Sequence, residues 1–445
     1  MPPSSMNRRR RLYYNQTKPW LPANTQGLLF CLPLVRDADA IWASGKHATL
    51  APRNETVDAN GYFVQQDGIL KAATVNVLRI GGGTDKTSGR MGALIEGARI
   101  NSYLQSEDFS TTSVSFLSTV NTDAVASPDG NSTADELVED STSANNHKIE
   151  QSISVTSGQN VAFSVFAKKN TRTEIKLQLE KQDLKSVWFN LDTGTKGTVG
   201  ASVVASGMDA LPNGWYRCWV VAAAASTGLR TYPILLGSGG ETDVYDGDGS
   251  SGVYIWGAQC EENVPFPSSY IKTTTAAVMR AGDDLRFDNT SQVNVKAAEG
   301  TFYFAYSPIG EPGGNNRIID LQATVPNNAW KIFSNTAGIG SFEFWSNVSA
   351  AAFNLGQVET RGSTFVICVV WKVNDFRAYV DGVEKGSNTL FAAPEDISAT
   401  IYIGQASSTT AKSFANMAHI HSYDAAHDAA LVALKTKEIQ RWLRL

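Results

Sequence analysis

The chain has 445 residues, 42% hydrophobic and 18% charged, and its 38 Lys and Arg against 43 Asp and Glu give a formal charge of −5. That length suggests two or three domains, and the slightly acidic balance excludes a global basic field of the kind that holds nucleic acid. No run approaches the ~20 apolar residues a membrane helix needs.

Residues 1–27 carry Arg8, Arg9, Arg10 and Arg11, then Tyr13, Tyr14 and Trp20 among prolines, with no periodicity. A solvated tail is one reading. The other is a docking arm that orders on a partner, since aromatics interleaved with arginine are what interfaces use. The stretch does not read as a secretory signal, because the apolar run Leu28–Val35 is short, contains Pro33 and stands apart from the arginines. From 28 to 100, short strand-like runs (Leu28–Val35, Ala48–Pro52, Gly61–Gln65, Ile69–Leu78) alternate with turns, as in a small β-rich attachment segment. Gly81, Gly82 and Gly83 lack the ending of a phosphate loop and read as a flexible turn.

Residues 101–280 alternate most clearly. In Glu174–Glu180 the apolar side chains face one way and the polar ones the other, a half-buried antiparallel strand. Val161–Ala167, Val187–Leu191, Trp215–Val221 and Val253–Gln259 are further strands, and the spacing suits a sandwich. Trp215, Trp219 and Trp256 are large enough to dominate its core. Pro265 and Pro267 lack the ladder donor, so Pro265–Ile271 reads as the exit towards the next domain.

Residues 281–445 offer strands at Gly300–Tyr306, Phe365–Trp371, Phe376–Val380 and Ile401–Gly404, with an Asp381-Gly382 turn opening a hairpin. The chain closes on a helix that Asp424 can cap, with Leu431, Leu434, Ile439, Trp442 and Leu443 at helical spacing and cations towards its C-terminal end. Its apolar stripe covers either its own domain's flank or a subunit interface. The resulting fold class is all-β: two antiparallel β-sandwiches (jelly rolls) in tandem at 101–280 and 281–445. An extended arm and a small β segment precede them, and a C-terminal helix ends them.

Four cysteines (Cys31, Cys218, Cys260, Cys368) lie far apart and form no metal-ligand pattern, which suits buried free thiols folded in a reducing cytosol. A Cys218–Cys260 bridge is the alternative. Asp246 and Asp248 alternate as in a calcium loop but lack a distal glutamate, so a bare turn competes with a structural calcium. Apart from that calcium, no cofactor is implied. His419 and His421 share a strand face with His427 beyond, but no third ligand stands in register. A glycosidase needs two carboxylates across a cleft, and Glu343 stands without a partner. Trp188, Trp330, Trp345 and Tyr379 have polar neighbours and are the candidate platforms for sugar rings.

The stretches Ala93–Phe109, Ser127–Asp140, His147–Asn170, Trp188–Val199, Asn213–Cys218, Tyr245–Glu262 and Phe266–Leu285 resemble, in order, a module common in bacteriophage and prophage structural proteins. That module is itself similar to the carbohydrate-binding jelly rolls, and Val57–Ile80 looks like the segment that usually precedes it. The last domain is similar to the concanavalin-A-like lectin/glucanase sandwiches, including the laminin-G-type group. The glucanases of that class carry Glu, Asp and Glu at alternating strand positions, where this chain has Ser341-Phe342-Glu343-Phe344-Trp345. The resemblance implies a non-enzymatic virion fibre, spike or decoration subunit, assembled in the host cytoplasm. Residues 1–27 would dock it to other virion proteins, it would form a homotrimer by analogy, and its sandwiches would face host or environmental glycans. A carbohydrate-active hydrolase and a ligand-free decoration protein are the alternatives.

Overall fold

A computed structural model describes the backbone of residues 92–283, 363–389 and 415–443 without a break, together with 28–33, 40–43, 46–49, 61–64, 69–73, 80–81, 285–288, 298–308, 316–321, 330–334, 342–346, 353–354 and 400–403. Side chains are described for 61–63, 69–73, 94–283, 298–307, 363–389, 420–421 and 423–441. Residues 1–27 lie outside this set, so the docking-arm side chains Arg8 to Arg11, Tyr13, Tyr14 and Trp20 receive no structural account.

The middle unit is a sandwich of two six-stranded antiparallel sheets. Its strands, numbered here in chain order, are β1 (Val114–Phe116), β2 (Ser118–Val125), β3 (Ala134–Glu139), β4 (Lys148–Val155), β5 (Asn160–Lys169) and β6 (Glu174–Gln178). They continue with β7 (Ser186–Asn190), β8 (Thr195–Val199), β9 (Ala205–Ala210), β10 (Trp215–Ala223), β11 (Gly228–Gly237) and β12 (Gly252–Glu262). One sheet runs β2-β3-β12-β5-β10-β9 and the other β8-β7-β6-β11-β4-β1. Strand alternation sends Val161, Phe163 and Val165 of β5 inward to meet Ile175 and Leu177 of β6 and Tyr232, Ile234 and Leu236 of β11.

The inner core does not hold the tryptophans. It takes Cys218, Val220 and Ala222 from β10, so parity turns Trp215, Arg217 and Trp219 to the outer face of the sheet. There Trp215 and Trp256 pack with Phe166, Tyr270 and Leu70, while Trp219 packs with Val264 and Phe266. The segment expected to leave the domain at Pro265–Ile271 instead folds back as the cover of this second core. Asn101 pins it, donating to the carbonyls of Ala258 (3.1 Å) and Ile271 (2.7 Å) and accepting from the Cys260 amide (3.0 Å). Under the cover the fully buried Arg217 donates to the Ser268 carbonyl at 2.7 Å and to Ser164 Oγ at 3.1 Å. Glu261 accepts the Ser268 amide, Glu96 accepts the Ser269 amide, and Arg280 lies 3.5 Å from Glu96. Paired and hydrogen-bonded in this way, buried charges escape the large cost of isolation.

Cys218 on β10 and Cys260 on β12 are free thiols on strands separated by β5, so they do not form the alternative bridge; Cys368 is also free and buried. Burial pushes the Cys218 thiol well above its ordinary value.

The C-terminal unit contributes a six-stranded sheet through 285–288, 400–403, 316–321, 330–334, 342–346 and 353–354. A second sheet is built on Glu299–Pro308, Phe365–Lys372, Asp375–Val380, Val383–Asn388 and Ala415–Tyr423. The segment 28–100 does not stand apart: Leu28–Pro33 pairs with Ala415–Tyr423 and brings 40–43 and 46–49 into the same sheet, while Gly92–Ile95 pairs with its other end. The hairpin Tyr62–Val64/Leu70–Ala72 packs instead on the middle unit. The helix α1 (Ala429–Leu443) lays Val432 and Ile439 on Tyr303, Val366 and Cys368, covering its own domain. Asp428 rather than Asp424 caps it, with Oδ1 accepting the Leu431 amide at 2.8 Å. Leu434, expected in the apolar stripe, faces outward. The side chains of Trp442 and Leu443 lie outside the described set.

Candidate functional site

Long polar side chains normally stay in water unless they are paired. On the outward face of the β8-β7-β6-β11-β4-β1 sheet several are nevertheless buried. Glu174, Lys176 and Gln178 of β6 point away from the core, yet each is more than nine-tenths covered. The half-buried reading of Glu174–Glu180 therefore holds for the inner face only, because loops roof the polar one.

The register fixes the layout. A row runs across five strands from Trp188 through Lys176, Leu235 and Lys148 to Phe116, each the direct cross-strand partner of the next. Four strand spacings make this row about 19 Å long. Beside it run Ser186, Gln178, Pro233, Glu150 and Val114. The near end is shaped by the turn after β7, where Asn190 Oδ1 accepts the amides of Asp192 and Thr193 and Gly194 takes a left-handed φ of 69°.

Two loops close over this trough. Lys176 Nζ donates to Asp183 at 2.6 Å and to Asp243 at 3.1 Å while lying 5.6 Å from the Trp188 ring centre. Burial pulls this ammonium down, but the two carboxylates overcome it and hold its pKa above the usual lysine value. Gln178 donates to Asp183 at 2.9 Å, and Glu174 accepts the Glu241 amide at 2.8 Å. Further along, Glu150 sits between Lys148 (3.0 Å) and Lys181 (2.7 Å). Burial raises the Glu150 carboxyl, and the two lysines more than reverse this to leave it below its ordinary value. The Trp188 ring lies against Gly237, where a Cβ would come within 2.7 Å of it.

Chemically, the face offers donors and acceptors in fixed positions, with an aromatic ring at each end of the row. Trp188, a candidate platform, lies on this outward face but is only 6% exposed, with Lys176 and Gly237 against its ring. Phe116, which the sequence reading did not single out, is 44% exposed, with Lys148 Nζ 5.2 Å from its ring centre. Tyr379 is not a platform. It is 1% exposed in the core beneath α1, because it is the cross-strand partner of Cys368 on the face that the helix covers. The side chains of Trp330, Trp345 and Glu343 lie outside the described residues, although their strands pair in register, Lys331 with Trp345 and Phe333 with Glu343.

The structure does not bring Asp246 and Asp248 together. Asp246 accepts the Ala144 amide at 2.8 Å, and Asp248 accepts the amides of Ser250 and Ser251, both at 2.7 Å. The Ser251 hydroxyl, which also donates to it, and those two amides hold the Asp248 carboxyl well below its usual range. Buried Glu139 ties the same loop down, accepting from Tyr245 (2.7 Å), the Asp248 amide (2.9 Å) and Arg172 Nε (2.8 Å). Among the described residues no group of three or more His, Cys, Asp or Glu could hold a metal ion. His421 is buried opposite Tyr303 and Cys31, whereas His427 accepts or donates at Nδ1 with Tyr303 Oη 2.8 Å away. His421 and His427 thus both lie beside Tyr303, and the side chain of His419 lies outside the described residues.

No protein-family model matches this sequence, and no curated protein does. Among solved structures, domain 4 of AbnA, a GH43 extracellular arabinanase from Geobacillus stearothermophilus in complex with arabinotriose, is similar over 36% of this chain and 76% of that one, at 16% identity and a TM-score of 0.30. Trypanosoma rangeli sialidase in complex with the inhibitor DANA is similar over 37% of this chain at 15% identity and a TM-score of 0.29, and the match spans 28% of the sialidase's length. A heptameric SAP-like pentraxin from Limulus polyphemus is similar over 31% of this chain and 69% of its own, at 16% identity and a TM-score of 0.25.

Proposed function

We propose that the chain is a non-enzymatic glycan-binding protein of the virion-structural type, with the trough over β7, β6, β11 and β4 as its ligand surface. One observation carries this reading: Glu174, Lys176 and Gln178 are buried on the outward face of a sheet beneath loops alone. Sugar hydroxyls are recognised by donors and acceptors already held in place, and pre-ordered groups lose little entropy when a ligand replaces their partners. Trp188 and Phe116 add apolar ring faces at the two ends of the row. A sugar would enter by displacing Asp243 from Lys176, and Gly239 and Gly240 give the 238–244 loop the backbone freedom to move. The virion setting rests on the resemblance of the stretches between Val57 and Leu285 to phage structural modules.

The test is a glycan array probed with the parent protein and with Trp188→Ala and Lys176→Ala. Binding that is lost in both variants while their circular dichroism stays unchanged supports the reading. An empty array sinks it in favour of a ligand-free structural subunit. Release of reducing ends that disappears in Glu343→Gln would replace it with a hydrolase.

A further inference from the structure

The two flanks of the middle sandwich differ. On one, β8 and β9 are the edge strands, and Lys196 of β8 reaches across to donate to the Ser206 carbonyl of β9 at 2.9 Å. A lysine on an edge strand is a usual guard against pairing with another chain. On the other flank β1 and β2 are the edge strands, joined directly at Leu117, whose φ of 52° turns the chain from one sheet to the other. From Ile100 to His147 the sequence contains no lysine or arginine, and Ser118-Thr119-Val120-Asn121-Thr122 carries no charge at all.

The ladder shows which groups this edge presents. Glu139 of β3 donates its amide to the Ser251 carbonyl, towards β12. Its cross-strand partner Ser118 therefore turns its N–H and C=O outward, and antiparallel alternation turns those of Val120 and Thr122 the same way. Among the described residues none bonds to them. Beside this edge, Val114 and Phe116 of β1 are 64% and 44% exposed.

We propose that the open edge of β2 is a self-association surface, at which a second copy of the chain pairs antiparallel about a two-fold axis centred on Val120. The occupant follows from complementarity. In that register Val120 meets Val120, Ser118 meets Thr122 and Thr119 meets Asn121, so outward donors face outward acceptors and no like charges oppose each other. The six-stranded sheets would fuse into one of twelve strands. Such a contact gives a dimer, in place of the trimer that analogy suggested. It stands independently of glycan binding.

Sedimentation of the full chain over a range of concentrations tests it. The parent is expected to show a monomer–dimer equilibrium. In Thr119→Lys/Asn121→Lys, where lysines stand opposite lysines on exposed positions, association should weaken at least about tenfold, which corresponds to ~1.4 kcal/mol. Thr119→Cys/Asn121→Cys should form a disulfide-linked dimer on oxidation, because a non-hydrogen-bonded antiparallel pair has Cα atoms about 4.5 Å apart, within disulfide reach. A parent that stays monomeric, a dimer or trimer indifferent to the lysines, or a dimer that does not cross-link would each overturn the proposal.

Discussion

The Trp219 ring lies flat over Gly207 because the two are direct cross-strand partners and Nε1 reaches Asp209 Oδ2, two residues further along β9, at 3.2 Å. A Cβ on Gly207 would overlap the indole. Gly207→Ala should gain about 0.5–1 kcal/mol from the stiffer unfolded chain, and overpacking a filled site should cost about 1–3 kcal/mol. The net expectation is a loss of about 1–2 kcal/mol, which in a unit of this size lowers Tm by roughly 3–6 °C. Differential scanning calorimetry reads the shift, and a second background identifies its cause. In Trp219→Leu, itself destabilised by cavity formation, the same Gly207→Ala change should be neutral or stabilising, giving a coupling of about 1–3 kcal/mol. If Gly207→Ala leaves Tm unchanged in the parent, or costs the same in both backgrounds, the ring does not occupy the glycine's space and the outer-core assignment fails.

Acid should act on the two units in opposite senses. His427 has its pKa lowered to about 4 by burial with Lys435 adding to it, against Asp428, so its contribution is full above the unfolded value of 6.5 and is lost as pH falls towards 4. His427→Gln should flatten the stability slope of the C-terminal unit in that window by about 1–2 kcal/mol after allowing for solvent screening. Asp135 has its pKa raised to about 6 by burial, despite accepting the amides of Phe109 and Asp123, so its contribution is full below 3.8 and is lost as pH rises through 6. Chemical denaturation of Asp135→Asn and the parent at pH values across that range should differ in slope with the opposite sign to the His427 pair. Because Asp246 and Asp248 already accept amides as turn formers, calcium titration followed by chelation should leave Tm unmoved; a calcium-dependent rise would favour the structural calcium over the bare turn.

Alternation made the strands legible but not which side of a strand meets the other sheet. In β10 both faces are apolar enough to be buried, Trp215, Trp219 and Val221 on one and Cys218, Val220 and Ala222 on the other. The clue was Arg217. A cation in phase with two tryptophans marks the face that meets a cover with carbonyls and carboxylates, since an intersheet core offers it no partner. The trough was hidden for the converse reason. Polar residues at alternate positions of β6 look the same in water as under a loop, and only the fold brings Asp183 and Asp243 to Lys176. Phe116 escaped notice because a three-residue edge strand has almost no period to read.

The two outer faces of the middle sandwich are held by different kinds of contact. Trp215, Arg217, Trp256, Glu261, Ser268, Ser269, Tyr270, Arg280 and Glu96 meet in the outer core and the buried ionic network beneath it. Removing one member of such a network strands a charge in a low-dielectric interior and costs about 3–5 kcal/mol. On the opposite face Lys176 and Gln178 are buried beneath loops and bond to Asp183 and Asp243, while Glu174 accepts the Glu241 amide. The sandwich thus carries a cover tied down by buried, paired charges on one outer face and a loop-roofed row of polar side chains on the other.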